Sequence, residues 1–184
     1  MSSNSNIIAL TMGDPSGVGT EIAIRAKIKK IKKPDFFIIH DIDFVKKILK
    51  KMKSKLKVRE ISSPSEVKKL PKNYLAVLPI KISKNTQLGK KNLSNVKSIL
   101  TSIDLAVKLA KNGEVAAIVT NPINKDVIGK KVKNFKGHTE YLAKKDRTND
   151  QLMMMMNKNL KTIPLTTHIA INKVSNKINK KNII

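Results

Sequence analysis

Four short segments of the sequence combine residue types that can do chemistry. The first is Gly13-Asp14-Pro15-Ser16-Gly17-Val18-Gly19, directly after the apolar run 7–12 (IIALTM). Glycines there let the backbone turn tightly and approach a ligand. The helix expected to follow offers free N–H groups to an anion. The spacing is neither that of a Walker loop nor G-x-G-x-x-G, and a strand–loop–helix turn of this kind is more often structural than functional. The second is Thr120-Asn121-Pro122-Ile123-Asn124-Lys125, after the apolar run 115–119 (VAAIV). Loops past the carboxyl ends of parallel strands are where α/β proteins bind ligands, and Lys125 suits a phosphate or carboxylate. In a chain this rich in lysine, any one of them is more often simply solvated.

The other two segments hold histidines, of which the chain has three, at 40, 138 and 168. In Gly137-His138-Thr139-Glu140 the imidazole sits among small and polar residues, before a helix expected over 140–145, a context that favours a ligand-facing ring. In Pro164-Leu165-Thr166-Thr167-His168-Ile169-Ala170 the histidine ends an apolar strand. A neutral imidazole there suits a metal ion, and equally suits a core histidine bonded to backbone.

Strands and helices in alternation must position these segments. The pattern predicts strands at 7–12, 35–39, 56–61, 74–80 and 115–119. It predicts helices at about 20–30, 42–53 and 92–111, with Thr20 as a cap for the first and Asn112-Gly113 as a stop for the last. Segments 151–156 (QLMMMM) and 160–165 (LKTIPL) read as further strands. Alternation of this kind implies an α/β fold with a largely parallel sheet flanked by helices.

Composition sets the outer limits. The chain has 184 residues, 40% of them hydrophobic and only 3% aromatic. That is enough for one ordinary domain, or a large domain with a partial second one, with a core expected from Ile, Leu, Val, Ala and Met. There are no cysteines, so disulfides and Cys-based zinc sites are excluded. No apolar run reaches bilayer length and the N-terminus lacks signal-peptide organisation, so a cytoplasmic location without membrane contact is expected. The formal net charge is +25. It raises the prospect of a polyanion partner. Arginine, the residue best suited to bidentate phosphate and guanine contacts, occurs only at 25, 59 and 147. With aromatics for base stacking also scarce, no specific nucleic-acid function is expected. An anionic small molecule would still be drawn by the field.

Taken in order, GDPSGVG, TNPINK, GHTE and TTHIA resemble the 4-hydroxythreonine-4-phosphate dehydrogenase (PdxA-type) family. The resemblance runs to about residue 172. It implies an isopropylmalate/isocitrate dehydrogenase-like α/β fold, truncated, with 1–171 as an N-terminal portion. Residues 172–184 would be a basic polar tail, poorly ordered or left by truncation. The implied reaction is NAD-dependent oxidation of 4-phosphooxy-L-threonine to 2-amino-3-oxo-4-phosphooxybutanoate, then decarboxylation, in pyridoxal phosphate (vitamin B6) synthesis. It also implies a homodimer and a divalent metal (Zn, Mg or Co) held by three histidines. By position His138 and Thr139 match the substrate-binding pair, and His168 matches the first metal ligand. Asp14 and Lys125 lie in matching motifs without an assigned role, and His40 is expected to be structural. The other two metal histidines belong to motifs resembling NPHAGE and YHDQ, which this sequence does not contain. Most of the NAD site is expected there too, so no catalytic or cofactor-binding residue is assigned. Alternatives are a dehydrogenase of 4-phospho-D-threonate or 4-phospho-D-erythronate, a basic polyanion-binding protein, and an inactive relic.

Overall fold

A computed structural model describes residues 6–29, 34–148, 151–166 and 169–180. Its main sheet has five parallel strands in the order β3-β4-β2-β1-β5. These are β1 (Ile7–Leu10), β2 (Asp35–His40), β3 (Lys57–Glu60), β4 (Tyr74–Pro79) and β5 (Ala117–Val119). The helices are α1 (Gly19–Ile28), α2 (Ile42–Lys51), α3 (Val96–Lys111), α4 (Lys125–Gly129) and α5 (His138–Asp146).

Side-chain alternation sorts the sheet into two faces. Leu10, Phe36, Ile38, Leu75 and Val77 pack with Ala23 and Ile24 of α1 and with Phe44, Val45 and Ile48 of α2. Ile7, Ala9, Phe37, Ile39, Ala76 and Leu78 face the other way, onto Ala106 and Leu109 of α3 and Val67. Both faces are therefore covered, which is why the central strands read as near-continuous apolar runs. A third cluster, Met12, Val96, Ile99, Val127 and Ile128, closes the carboxyl end of β1.

Each helix has a local cause. Asp41 caps α2, its Oδ1 accepting from the N–H groups of Asp43 and Phe44. Asn124 caps α4 by accepting from Val127 N–H. Helix α3 stops at Asn112, and Gly113 takes φ +71°, the left-handed turn expected there.

Several expectations need correction. Thr20 does not cap α1; it lies inside the first turn, and Val18 occupies the cap position without a side-chain bond. The hydroxyl has a buried partner instead, His40. The core is not free of aromatics, because Phe36, Phe37 and Phe44 are all buried. The start of the 92–111 segment is a 3-10 turn, Leu93–Asn95, before α3 proper. The 3-10 segment Pro64–Lys69 and helix α4 were not anticipated; both are too short for a helical period to show. The methionine-rich strand does not enter the main sheet. Met155–Met156 (β6) and Lys161–Thr162 (β7) form a separate antiparallel pair. Asn157 turns that hairpin by accepting from the N–H groups of Asn159 and Leu160. Beyond it, Ile171–Lys173 and Ser175–Lys177 are exposed 3-10 turns. Among the described residues no helix is long and apolar enough to cross a membrane.

Candidate functional site

The chain leaves β1 through α1 toward β2 on one side. It reaches β5 on the other side through α3, which packs on the opposite face. The loops after β1 and β5 therefore flank a topological switch point, the usual ligand crevice of an open α/β sheet. Those loops are GDPSGVG and TNPINK.

The two loops interlock. Asp14 N–H donates to Pro122 O at 2.9 Å, and Asn121 Nδ2 donates to Thr11 O at 3.0 Å. Gly13 is required at φ +70°, because a Cβ there would stand 2.6 Å from Pro122 O. Asp14 Oδ1 accepts from Ser16 N–H within its own turn, so this carboxylate shapes the loop. Asn121, buried and central to the join, was not singled out by its sequence. Neither was Ser102, whose Oγ accepts from Met12 N–H at 2.8 Å and satisfies the backbone where β1 ends.

Beside β5, α3 and α5 border a groove of about 740 Å³. Ile118 and Thr120 lie along one side, Val107 and Ala110 on another, and His138 and Thr139 at the start of α5. His138 is the first residue of α5, one turn-half earlier than the helix expected from sequence. Its Nε2 is enclosed and has no hydrogen-bond partner among the described residues; Ser16 Oγ is the other such atom. Burial, and then the Lys125 charge, hold the His138 pKa below its ordinary value, which favours a neutral ring. Thr139 is exposed.

Lys125 comes to the same place from the β5 loop. Its Nζ stands 3.3 Å from where a Cβ on residue 137 would be, so glycine at 137 leaves room for the ammonium at the start of α5. A helix N-terminus and an ammonium together suit an anion, while the neutral imidazole suits a hydroxyl. Helix α5 is anchored to α3. Asp104 accepts from Tyr141 OH and from Lys145 Nζ, both at 2.8 Å, and Lys111 pairs with Asp146 at 3.1 Å. No motif announces this clamp; the partners are 37 and 41 residues apart.

His40 is not part of the site. It is fully buried between Thr20 and Asp41, as a structural role requires. His168 lies outside the described residues. Among the described residues no group of three or more His, Cys, Asp or Glu side chains is placed to hold a metal ion. The described donor set therefore does not fit a metal centre by itself.

A single parallel sheet covered by helices on both faces, with interlocked loops and a polar-ended groove beside its switch point, defines a three-layer protein of the open α/β class. A family model described as pyridoxal phosphate biosynthetic protein PdxA matches residues 32–184, and the chain belongs to that family. A 4-hydroxythreonine-4-phosphate dehydrogenase of Methylorubrum populi is 32% identical over 185 residues, covering 95% of this chain and 52% of the relative. One of Pseudoalteromonas translucida is 28% identical, covering 96% and 53%. Among solved structures, the Klebsiella pneumoniae 4-hydroxythreonine-4-phosphate dehydrogenase superposes with a TM-score of 0.85 at 28% identity, covering 96% of this chain and 55% of that one. A terephthalate 1,2-cis-dihydrodiol dehydrogenase of Burkholderia xenovorans, at 18% identity and TM-score 0.69, shares the fold. The chain spans about half the length of the curated relatives it matches.

Proposed function

We propose that this chain supplies the substrate-binding half of an oxidoreductase acting on 4-phosphooxy-L-threonine. In this reading His138 and Thr139 bind the substrate, Lys125 and the α5 N-terminus attract its phosphate or carboxylate, and the protein works in the cytoplasm as a homodimer. The observation that carries it is the enclosed, unpartnered Nε2 of His138 beside Lys125 at one end of the groove. An enclosed imidazole nitrogen without a partner is costly unless a ligand completes it. Family membership supplies the class of ligand.

The residues do three things in this reading. Lys125 and the helix end hold the anionic group and fix the register of the substrate. His138, kept neutral by burial, accepts from or donates to a substrate hydroxyl. The interlocked loops hold Lys125 and the clamp to α3 holds α5 with His138, which keeps the reacting carbon in one place. The hydride acceptor is NAD in this reading, and no residue described here is assigned to it. His168 is proposed as one ligand of a divalent metal whose other ligands the described residues do not provide, so no step is routed through the metal.

The test is binding followed by turnover. Titration of the chain with 4-phosphooxy-L-threonine should shift the His138 Nε2 resonance and leave that of His40 in place. Titration with 4-phospho-D-threonate and 4-phospho-D-erythronate ranks the related substrates. NADH formation on the same compounds reads the oxidation. A His138 resonance unmoved by all three ligands overturns the assignment. The charge of +25 favours a second reading, polyanion binding. Affinity for DNA or RNA that survives physiological salt would support it, and loss with salt marks simple electrostatics.

A further inference from the structure

Positions 44, 47, 48 and 51 of α2 have the spacing of one helical stripe. The stripe is divided in character. Phe44 and Ile48 are buried, while Lys47 and Lys51 are exposed, as is Lys50 beside them. All five residues line a cavity of about 330 Å³, bordered on its other side by Thr86 and Leu88. That volume falls at the small end of small-molecule sites. An apolar floor and three lysines thus meet in one place. Among the described residues no carboxylate pairs with Lys47, Lys50 or Lys51. Asp43, the carboxylate within α2, pairs with Lys46 and Lys81 instead. The wall opposite α2 is already braced. Thr86 Oγ1 donates to Ser83 O at 2.6 Å and accepts from Asn95 Nδ2 at 2.9 Å, and Asn95 Oδ1 accepts from Ser83 N–H at 2.9 Å. Thr86 and Asn95 are both buried. Next to Leu88, Gly89 N–H donates to Ser16 O at 2.7 Å, which ties this wall to the GDPSGVG loop.

We propose that the cavity between α2 and the Thr86–Leu88 wall binds a small soluble phosphomonoester whose body is a single apolar ring. The ring covers Phe44, Ile48 and Leu88, and the phosphate takes the charge of Lys47, Lys50 and Lys51. Charge complementarity selects the head group. A phosphomonoester carries about two negative charges at neutral pH, so it answers three ammonium groups better than a carboxylate does. The apolar floor selects the body, because inorganic phosphate would leave that surface wet. The braced wall keeps the cavity open without a ligand, so little ordering opposes binding. Contact at Leu88 also bears on the neighbouring Gly89–Ser16 hydrogen bond, and so on the loop at the switch point. This cavity shares no lining residue with the groove beside β5. Helix α2 covers the sheet face opposite α3. The inference therefore stands or falls separately from the substrate assignment.

The experiment titrates the 184-residue chain with phenyl phosphate and follows the Leu88 methyl and Gly89 amide resonances. Benzoate, phenol and inorganic phosphate are titrated in parallel. The expected result is a saturable shift of both resonances by phenyl phosphate, with each comparator weaker by about tenfold or more. The double variant Lys47→Met with Lys51→Met should weaken phenyl phosphate by at least about tenfold. Lys68→Met with Lys69→Met removes the same charge from an exposed 3-10 segment and should leave the affinity unchanged. Both pairs are exposed, so the melting temperature should move only as ordinary surface changes move it. Resonances that phenyl phosphate leaves in place overturn the proposal. So does inorganic phosphate binding as tightly as phenyl phosphate, which marks simple surface electrostatics. Equal losses in the two double variants overturn it as well, because the net charge and not the cavity would then hold the probe.

Discussion

Thr20 Oγ1 lies 3.0 Å from His40 Nε2, joining the first turn of α1 to the carboxyl end of β2. Asp41 N–H donates to Nδ1 at 2.7 Å, so Nε2 carries the proton and the Thr20 hydroxyl accepts it. The ring also stacks on Phe44 at 5.5 Å. One neutral imidazole thus ties the helix behind the GDPSGVG loop to the sheet.

This contact predicts a pH-dependent stability. Burial pushes the His40 pKa down to about 4 from 6.5, against the opposing pull of Asp41. The unfolded chain therefore binds a proton that the folded chain refuses over that interval. The stabilisation is complete above pH 6.5 and is lost as the pH falls from there toward 4, about 3 kcal/mol in all. Urea midpoints taken between pH 7 and pH 4 check the slope. His138, whose pKa is also lowered, adds in the same direction, so His40→Leu isolates the larger share. An unchanged slope in that variant would rule the assignment out.

Gly13→Ala tests the loop join. Its Cβ would meet Pro122 O at 2.6 Å and the Asn121 Cβ at 2.7 Å, on a backbone at φ +70°. The expected loss is about 2–4 kcal/mol from clash and strain together. Gly89→Ala is the control. It shares a positive φ, +77°, but meets nothing within 4 Å. It should cost only about 1–2 kcal/mol, the strain alone. Equal losses in denaturation would show that the loops do not interlock as described.

Lys125→Met should raise the pKa of His138, because the Lys125 charge is one of the two causes holding it down. An NMR titration of the imidazole reads this directly. The same variant should weaken phosphate-ester binding about tenfold, by loss of one charge-assisted contact. A His138 titration identical to that of the unmodified chain would separate Lys125 from the site.

The clamp on α5 should act as a unit. Tyr141→Phe removes a hydrogen bond to the Asp104 carboxylate, worth about 1.5–3 kcal/mol before solvent exposure reduces it. Asp104→Ala removes the shared acceptor of Tyr141 and Lys145 together. The double variant should therefore lose clearly less than the sum of the two single losses. Additive losses would mean that the two residues do not interact.

Much of the architecture was legible without coordinates. Apolar runs and helical spacing located every main-sheet strand and the three long helices to within a few residues, since a buried face must repeat at the period of its element. The motif order GDPSGVG, TNPINK, GHTE and TTHIA led to the family.

The structure decided what depends on residues far apart in the chain. Periodicity says which face of a strand is apolar but not which strand lies beside it, so the order β3-β4-β2-β1-β5 and the departure of β6 and β7 from that sheet came only with the fold. It is the fold that sets Lys125 against Gly137, joins Asn121 to Thr11, and brings Asp104 to Tyr141 and Lys145. The sequence by itself determined which residues want burial, which turns need glycine, and which motifs recur together. Tertiary structure alone decided that the Lys125 ammonium lies against residue 137 at the start of α5, because that approach joins two segments distant in the chain and follows from no local preference.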